Sequence, residues 1–442
     1  MLNRFNIFLP ALALLTGAAG AQPAPLTLGQ AIDLALAPDG NTRVQLARES
    51  IRQAQARAAQ ARAALLPNLD GAVGGQSQTR NLRAFGIEID IPVPGFEFPR
   101  LAGPFTVFDV RATATQSVFD ISAIRRLEAS RAAAGASRLE EEAVRSQVTD
   151  QVARSYLAGV RAAAAVEMAQ ANVALAEALL ELAESQKTAG TGTGIEVTRA
   201  RVQLANERQR LLVNRNQLER ALLELKRLIG MPPSTRIALA DKLAYVPTDP
   251  VTLEAAVAAA RERPELRAQR RREESARLSF SAAKLERMPS VVAFGDYGAI
   301  GSGPADAIPT RAYGLSLRVP VFDGGRRDAR RAEAASALRA EELRTKDLSR
   351  QVELDVRLAL DTLQSADGQV KTAREGVALA ENELAQARRR YQAGVASSLE
   401  TTGAQTRLER ARANYIDALF SYNLAQIDLT TAMGSTKYRG TK

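Results

Sequence analysis

The side chains available for chemistry in this chain are unusually restricted. The 442-residue sequence contains no cysteine, no histidine and no tryptophan. Disulfides, thiol nucleophiles, imidazole bases and His or Cys metal sites are therefore excluded. Catalysis would have to rely on Asp, Glu, Lys, Ser, Thr or Tyr. A hydrolase that uses carboxylates alone has no paired-acid motif behind it, so we predict a protein that is not an enzyme and needs no metal or cofactor.

Two acidic residues stand out because each follows a short turn of small residues. Glu196 follows a Gly-Thr-Gly-Thr-Gly segment, and Glu400 follows a Gly-Val-Ala-Ser-Ser segment. Acids in the first turn of a helix complement its dipole, and Thr193 and Ser397 or Ser398 are candidate N-caps. Stabilisation of two helix N-termini is therefore one complete explanation of both acids.

The two turns occupy matching places in an internal duplication. Residues 187–190 (KTAG) are matched by 391–394 (YQAG), and residues 228–230 (LIG) are matched by 432–434 (AMG), both 204 residues later. A repeat of this length is too long for a solenoid, whose units span about 20 to 50 residues. The duplication predicts two pseudo-equivalent halves of one architecture.

The N-terminus has the pattern of an export signal. A polar, basic start precedes an apolar stretch at 5–15 and small residues at 19–21. The apolar stretch is shorter than the roughly 20 residues that a membrane-spanning helix needs. We predict a signal peptide at 1–21, followed by a first repeat at 22–249 and a second repeat at 250–442.

The net charge of +10 does not indicate a nucleic-acid partner. Arginines are interleaved with Glu and Gln along helical segments, as in residues 207–210 (ERQR) and 409–412 (ERAR). This pattern is typical of solvated helix faces. We therefore predict that these acids and arginines face water.

Each half contains a segment with strand character, at about 68–120 and 290–322. The first segment predicts two strands joined by a long loop, and alternation near Val110 is interrupted at Gln116. The alternation in the second half runs from Tyr313 to Val321, with Pro320 near a strand end. Four strands cannot close a membrane barrel, so strands that span a bilayer would require several chains.

A very long helical hairpin follows each pair of strands, at 123–230 and 325–434. Its first helix, of about 65 residues, would extend roughly 100 Å, a distance that no globular core needs. The returning helices carry a seven-residue apolar period typical of a coiled-coil seam. The positions are Leu204, Leu211, Leu218 and Leu225, and then Leu408, Tyr415, Tyr422 and Leu429.

In this order, the features resemble the TolC family of outer membrane efflux proteins over essentially the whole mature chain. The most specific pieces are the opening at 26–32 (LTLGQAI), the strand-to-helix junctions at 118–120 (VFD) and 321–325 (VFDGG), and the two hairpin tips. The fold so implied is mainly α with a membrane β segment, in which four strands per chain form a shared twelve-stranded barrel in a homotrimer.

The resemblance also implies a function and partners. It implies a passive exit duct in the outer membrane, extended by a helical tunnel across the periplasm. Inner membrane transporters of the RND, ABC or MFS type would supply the energy through a periplasmic adaptor, for efflux or for type I secretion. The residues that match the adaptor-facing tips are Gly190, Thr191, Gly192, Gly394, Val395, Ala396 and Ser397.

Gate residues of the family map only partly onto this chain. Glu196 resembles the acid that reaches a tyrosine of the other hairpin, and Tyr391 matches that tyrosine, whereas Ala396 stands at the position of an arginine. Glu400 matches the first of two acidic positions around the closed aperture, and Gly403 replaces the second. A ring of three Glu400 carboxylates would favour cations.

A second interpretation belongs to a different class of protein. An exported coiled-coil scaffold could link the envelope layers, with its strands in a soluble sheet and no channel activity. Aromatic residues make up only 5% of the chain, so aromatic girdles are sparse. The separation of apolar from small polar residues along the strands favours the channel.

Overall fold

The computed structural model describes residues 24–87 and 99–435. The predicted signal peptide, residues 1–21, lies outside the described residues, as do most of the predicted loop between the first two strands and the last residues of the second repeat.

Within the described part, the elements occur twice in the same order: a short helix, a 22-residue helix, two long strands, a very long helix and a 35-residue returning helix. The first copy comprises β1 (Ala24–Leu26), α1 (Leu28–Leu36), α2 (Thr42–Ala63), β2 (Asn68–Asn81), β3 (Leu101–Phe119), α3 (Ile121–Thr188) and α4 (Gly194–Leu228). The second comprises β4 (Ile237–Leu239), α5 (Leu253–Ala260), α6 (Pro264–Leu285), β5 (Ser290–Gly301), β6 (Ile308–Arg318), α7 (Arg326–Gln392) and α8 (Ser398–Ala432).

The first long helix starts where the sequence supplies a side-chain cap. Asp120 is the N-cap of α3, and its side chain accepts a hydrogen bond from the Ala123 N–H at 2.9 Å. The helix therefore begins at Ile121, slightly before the predicted hairpin start at 123. With 68 and 67 residues, α3 and α7 are each about 100 Å long.

The four long strands form one antiparallel sheet in the order β2-β3-β5-β6. Val110 in the middle of β3 faces Val73 of β2 on one side and Ala299 of β5 on the other. The predicted extension of β6 to Val321 is wrong, because the strand ends at Arg318. Pro320 has no N–H to donate to a ladder and restricts the residue before it, which explains the early end.

An apolar cluster lies at the base of each hairpin, and further clusters follow α7 and α8 toward the second tip. In the first half, α1, α3 and α4 pack around Val152, Tyr156 and Leu225. The Tyr156 hydroxyl oxygen lies 2.8 Å from the Leu26 carbonyl oxygen and 2.7 Å from Asp241 Oδ2. These contacts tie α3 to β1 and to the connector, residues 240–252 between β4 and α5. The second half has an equivalent cluster between α5, α7 and α8. A packed apolar cluster therefore anchors each hairpin at its base.

The helix α3 joins the two hairpins, because it packs against α8 as well as α4. Arg154 of α3 forms ion pairs with Asp150, at 2.8 Å, and with Asp428 of α8. Farther along, Arg161 lies 2.8 Å from Asp417 of α8. The first hairpin is thus fixed alongside the second for part of its length.

One 18-residue stretch of α3 has a mean hydropathy of 1.2 and would be long enough to cross a membrane by length and composition. Packed helices of many proteins meet the same criterion. The character of the sheet is therefore the more informative feature for a membrane assignment.

Candidate functional site: the hairpin tips and the sheet faces

The two tip turns have the same backbone geometry. Gly190 and Gly394 adopt φ values of +76° and +72°, a conformation that favours glycine. At the first tip, the Gly190 N–H donates to the Lys187 carbonyl at 3.1 Å and the Thr191 N–H donates to the Gln186 carbonyl at 3.0 Å. The equivalent pair of bonds closes the second tip. This is the Schellman arrangement, which ends a helix and reverses the chain compactly.

The predicted adaptor-facing residues all lie in these turns. Most of them are exposed, whereas Gly192 and Ala396 are partly covered. Apolar side chains next to the small residues are also exposed, notably Ile195, Val395 and Leu399. The tips therefore present a surface of small and aliphatic residues to which another helical tip could bind.

The carboxylate of Glu196 interacts with the N-terminus of its own helix and with Ser398 of the other hairpin. Its Oε2 accepts a hydrogen bond from the Thr193 N–H at 2.9 Å, which caps α4 as the sequence suggested. The Thr193 N–H is the main reason why the pKa of Glu196 is lowered, and Ser398 of the other hairpin contributes in the same direction. Helix capping and a contact between hairpins are therefore compatible roles of this residue.

Tyr391 lies beside Glu196 but forms no described hydrogen bond through its hydroxyl group. The side chain is 5% exposed, and its hydroxyl oxygen is buried without a partner. Burial raises the pKa of Tyr391, and the charge of Glu196 adds to the rise. Its backbone carbonyl accepts a hydrogen bond from Gln186 Nε2 at 3.2 Å, which links the two hairpins.

Glu196 and Tyr391 line one small cavity between the hairpins, together with Thr401 and Gln405. The cavity has a volume of about 30 Å³, enough for one or two water molecules. The hydroxyl oxygen of Thr401 and both polar atoms of the Gln405 amide are also buried without partners. The contact between the hairpins near the tips is therefore polar and incompletely satisfied within one chain.

Glu400 lies on the exposed side of the second tip and has a partner that the sequence analysis did not identify. Its Oε1 lies 3.0 Å from Arg390 Nε, with both side chains about half exposed. A carboxylate that is paired in this way contributes less net charge to a ring than a free one. The sequence signal was the run of three arginines at residues 388–390, directly before Tyr391.

The prediction that residues 207–210 and 409–412 form solvated faces is wrong for their acids. Glu207 is fully buried and Glu409 is 7% exposed, and Arg210 contacts both carboxylates. A signal was present, since Glu207 lies between Leu204 and Leu211 on the apolar seam of α4. The neighbouring arginines favour a solvated helix face, although Glu207 occupies a seam position.

The two faces of the sheet differ sharply in chemistry. One face exposes apolar side chains of β2, β3 and β6, including Leu69, Val73, Val110, Tyr313 and Leu315. The other face carries mostly small, polar and charged groups, with apolar exceptions that include Phe294, Ile300 and Ile308. On that face Arg111 of β3 contacts Asp296 of β5, and its Nη2 donates to Thr310 Oγ1 of β6 at 3.2 Å.

A two-faced antiparallel sheet continued by two helices of about 100 Å, each paired with a returning helix, is the architecture expected of outer membrane efflux and secretion channels. The family model described as "Outer membrane efflux protein" matches residues 33–231 and 256–435. The chain therefore belongs to this family. Membership confirms the predicted resemblance, the outer membrane location and the prediction that the chain is not an enzyme.

Similar proteins include exporters of different cargo. The chain is 27% identical over 398 residues to the pyoverdine export outer membrane protein OpmQ of Pseudomonas putida, covering 87% of this chain and 81% of that protein. It is 25% identical over 319 residues to the alkaline protease secretion protein AprF of Pseudomonas aeruginosa, covering 70% and 65%.

Solved structures share the fold at lower identity. The outer membrane protein VceC of Vibrio cholerae superposes with a TM-score of 0.77 at 20% identity, over 92% of this chain and 96% of that chain. The open state of the MtrE outer membrane channel of Neisseria gonorrhoeae gives a TM-score of 0.78 at 20% identity, over 94% and 91%.

Proposed function

We propose that three copies of this chain form one outer membrane channel-tunnel, which acts as a passive exit duct. The supporting observation is the sheet, in which β2 and β6 have no strand on their outer edges among the described residues. Unpaired edges in lipid are costly, and four strands are too few to close on themselves. Three four-stranded sheets joined edge to edge would give twelve strands with no free edge.

The character of the faces fits this arrangement. Joined with their apolar faces outward, the sheets would place Leu69, Tyr313 and Leu315 against lipid. The same closure would turn Arg111 and Asp296 toward a wet interior. A soluble sheet would instead need another layer over its apolar face.

In this proposal the helical hairpins continue the barrel as a tunnel that ends at the tips. Glu196, Tyr391 and Glu400 serve as gate residues, and the small-residue turns dock a periplasmic adaptor that connects to an inner membrane RND, ABC or MFS transporter. The named relatives export pyoverdine and secrete alkaline protease, so we propose that this chain serves efflux or type I secretion and that its partners select the cargo.

The test is the oligomeric state combined with conduction. Native mass spectrometry of the detergent-purified protein should give a trimer, and planar bilayers should show single-channel currents after its addition. A monomer that adds no conductance would overturn the proposal and favour the envelope scaffold. A double charge substitution on the lipid-facing side, Leu315→Asp with Tyr313→Asp, should abolish insertion. The matched change Thr310→Asp on the opposite face should be tolerated.

A further inference from the structure

Three charged side chains from the two hairpins, Glu207, Arg210 and Glu409, meet between the tips and the base. None of them is among the predicted gate residues. One guanidinium nitrogen of Arg210, Nη1, lies 3.0 Å from Glu207 Oε1 on its own helix α4. The same nitrogen lies 2.6 Å from Glu409 Oε2 on α8. Gln203 Nε2 also donates to Glu207 Oε1, at 2.9 Å. Arg210 therefore links the first hairpin to the second through Glu409, while it also pairs with Glu207 on its own helix.

The cluster is short of positive charge and of hydrogen-bond donors. Glu207 Oε2 is buried without a partner, and so is the Oδ1 atom of Asn172 on α3, which is 3% exposed. Both residues line a cavity of about 310 Å³ together with Arg210, Glu409 and the exposed Arg410. The helix α3 contributes no charged residue to this lining. Arg410 forms no described ion pair with either acid, so the two buried carboxylates share the guanidinium of Arg210, which leaves one negative charge without an ion-pair partner.

We propose that Glu207, Glu409 and Arg210 form a second lock between the hairpins, and that the lock is closed when the carboxylate pair holds one proton. The inference rests on the proposed channel function, since it concerns the separation of hairpins that would line the duct. It adds a site to the predicted gate residues Glu196, Tyr391 and Glu400.

The proton has a defined place. On Glu207 Oε2 it converts the unpartnered acceptor into a donor and removes the repulsion between the two carboxylates. Arg210 can then pair with the ionised Glu409 alone. Burial raises the pKa of Glu207 to about 7, and the neighbouring carboxylate of Glu409 adds to the rise.

The direction of the pH dependence follows from this raised pKa. When the hairpins separate, water reaches Glu207 and its pKa returns toward the ordinary value of 4.5. The closed state therefore binds more protons than the open state, and its advantage is lost as the pH rises from about 4.5 to about 7. For each protomer, the ratio of open to closed states should rise by up to about tenfold per pH unit in this window.

Spin-label distances across the lock test the inference without relying on conduction. The chain has no native cysteine, so Gln209→Cys on α4 and Asn414→Cys on α8, both exposed, can be labelled without background. In the full-length purified protein, the ratio of the longer-distance to the shorter-distance population should grow at least about fivefold between about pH 5 and about pH 7. Glu207→Gln, which keeps the size of the side chain and mimics the protonated form, should stay at the low-pH distribution.

A control pair lies nearby within the first hairpin, between α3 and α4. Glu177→Gln breaks an exposed pair with Arg208 between α3 and α4, 2.9 Å long, and should leave the wild-type pH dependence unchanged. Glu409→Gln should reduce the dependence by relieving the repulsion, and it provides a second variant if Glu207→Gln fails to fold. A wild-type distribution that does not change with pH, or a Glu207→Gln protein that keeps the dependence, overturns the lock. Loss of conduction with an intact pH shift would count against the channel alone.

Discussion

The two returning helices have the same length of 35 residues but are packed differently. In α8 the seam is covered at both Leu408 and Tyr422, which are 3% and 2% exposed. In α4 the residue that matches Tyr422 is Leu218, which is only half-buried, and Leu212 on its outer side is 67% exposed. Duplication therefore preserved the length and the period, while the surroundings of each copy determined the depth of burial.

The reason lies in what each helix has beside it. Tyr422 of α8 contacts the connector, with its hydroxyl oxygen 2.9 Å from the Val246 carbonyl oxygen and its ring 4.9 Å from that of Tyr245. The middle of α4 has no equivalent cover among the described residues. In the proposed trimer, a neighbouring copy would cover this part of α4. The exposed Leu212 is therefore expected to lie at the interface between copies.

The largest expected effect is a difference between matched truncations in the two seams. Tyr422→Ala removes a buried ring and should lower the free energy of unfolding by about 3–5 kcal/mol. Leu218→Ala, at the matching position of α4, should cost only about 1 kcal/mol in the separated protomer. Urea unfolding followed by circular dichroism measures both. Equal losses would show that the α4 seam is as well covered as that of α8.

The tip turns should respond equally because their backbones are equivalent. Gly190→Ala and Gly394→Ala each place a Cβ atom in the left-handed region, at a cost of about 1–2 kcal/mol. No atom lies within 4 Å of either added Cβ, so the cost is conformational and not steric. Gly403→Ala in the α8 helix is the control and should stabilise the protein by up to about 1 kcal/mol. Thermal unfolding of the three variants would show whether the tips differ in backbone strain.

The sequence alone predicts the features that depend on local periodicity and on turn and cap residues. Hairpin ends at Gly190 and Gly394, the strand alternation around Val110 and the helix-capping role of Glu196 all follow from residue type and spacing. These features are determined by interactions between residues close in sequence. They could therefore be predicted without knowledge of the packing between hairpins.

Features that depend on how separate helices pack against each other could not be derived in this way. The arginines that surround Glu207 and Glu409 in sequence predict solvated side chains, yet the approach of α4 and α8 buries both. The Arg390 partner of Glu400 was missed because the two residues meet only after the chain reverses at the tip. Charge composition indicates how often a residue is solvated and does not identify the face on which a second helix packs.

The two first-turn acids should differ in their contribution to stability. Because capping lowers the pKa of Glu196, its stabilisation is present above the ordinary carboxyl pKa and is lost as the pH falls through the lowered value. Glu196→Gln should therefore cost about 1 kcal/mol at neutral pH and almost nothing in acid. Glu400→Gln breaks an exposed pair and should cost less than about 1 kcal/mol. Melting curves at neutral and acidic pH would distinguish them, and a pH-independent loss for Glu196→Gln would contradict the capping role.

The smallest effect on stability provides the sharpest test of the proposed aperture. Glu400→Gln and Arg390→Gln break the same ion pair, so any purely structural consequence should be shared by the two variants. Their charge effects are opposite. If Glu400 lies at the constriction, Glu400→Gln should lower the cation-to-anion permeability ratio in planar bilayers, and Arg390→Gln should raise it, each by about two- to threefold at low salt.

Both shifts should shrink between about 0.1 M and about 1 M KCl, because exposed charges are screened over that range. Changes of the same sign would mean that the pair only shapes the tip. Unchanged selectivity in both variants would place the constriction elsewhere and remove Glu400 from the gate.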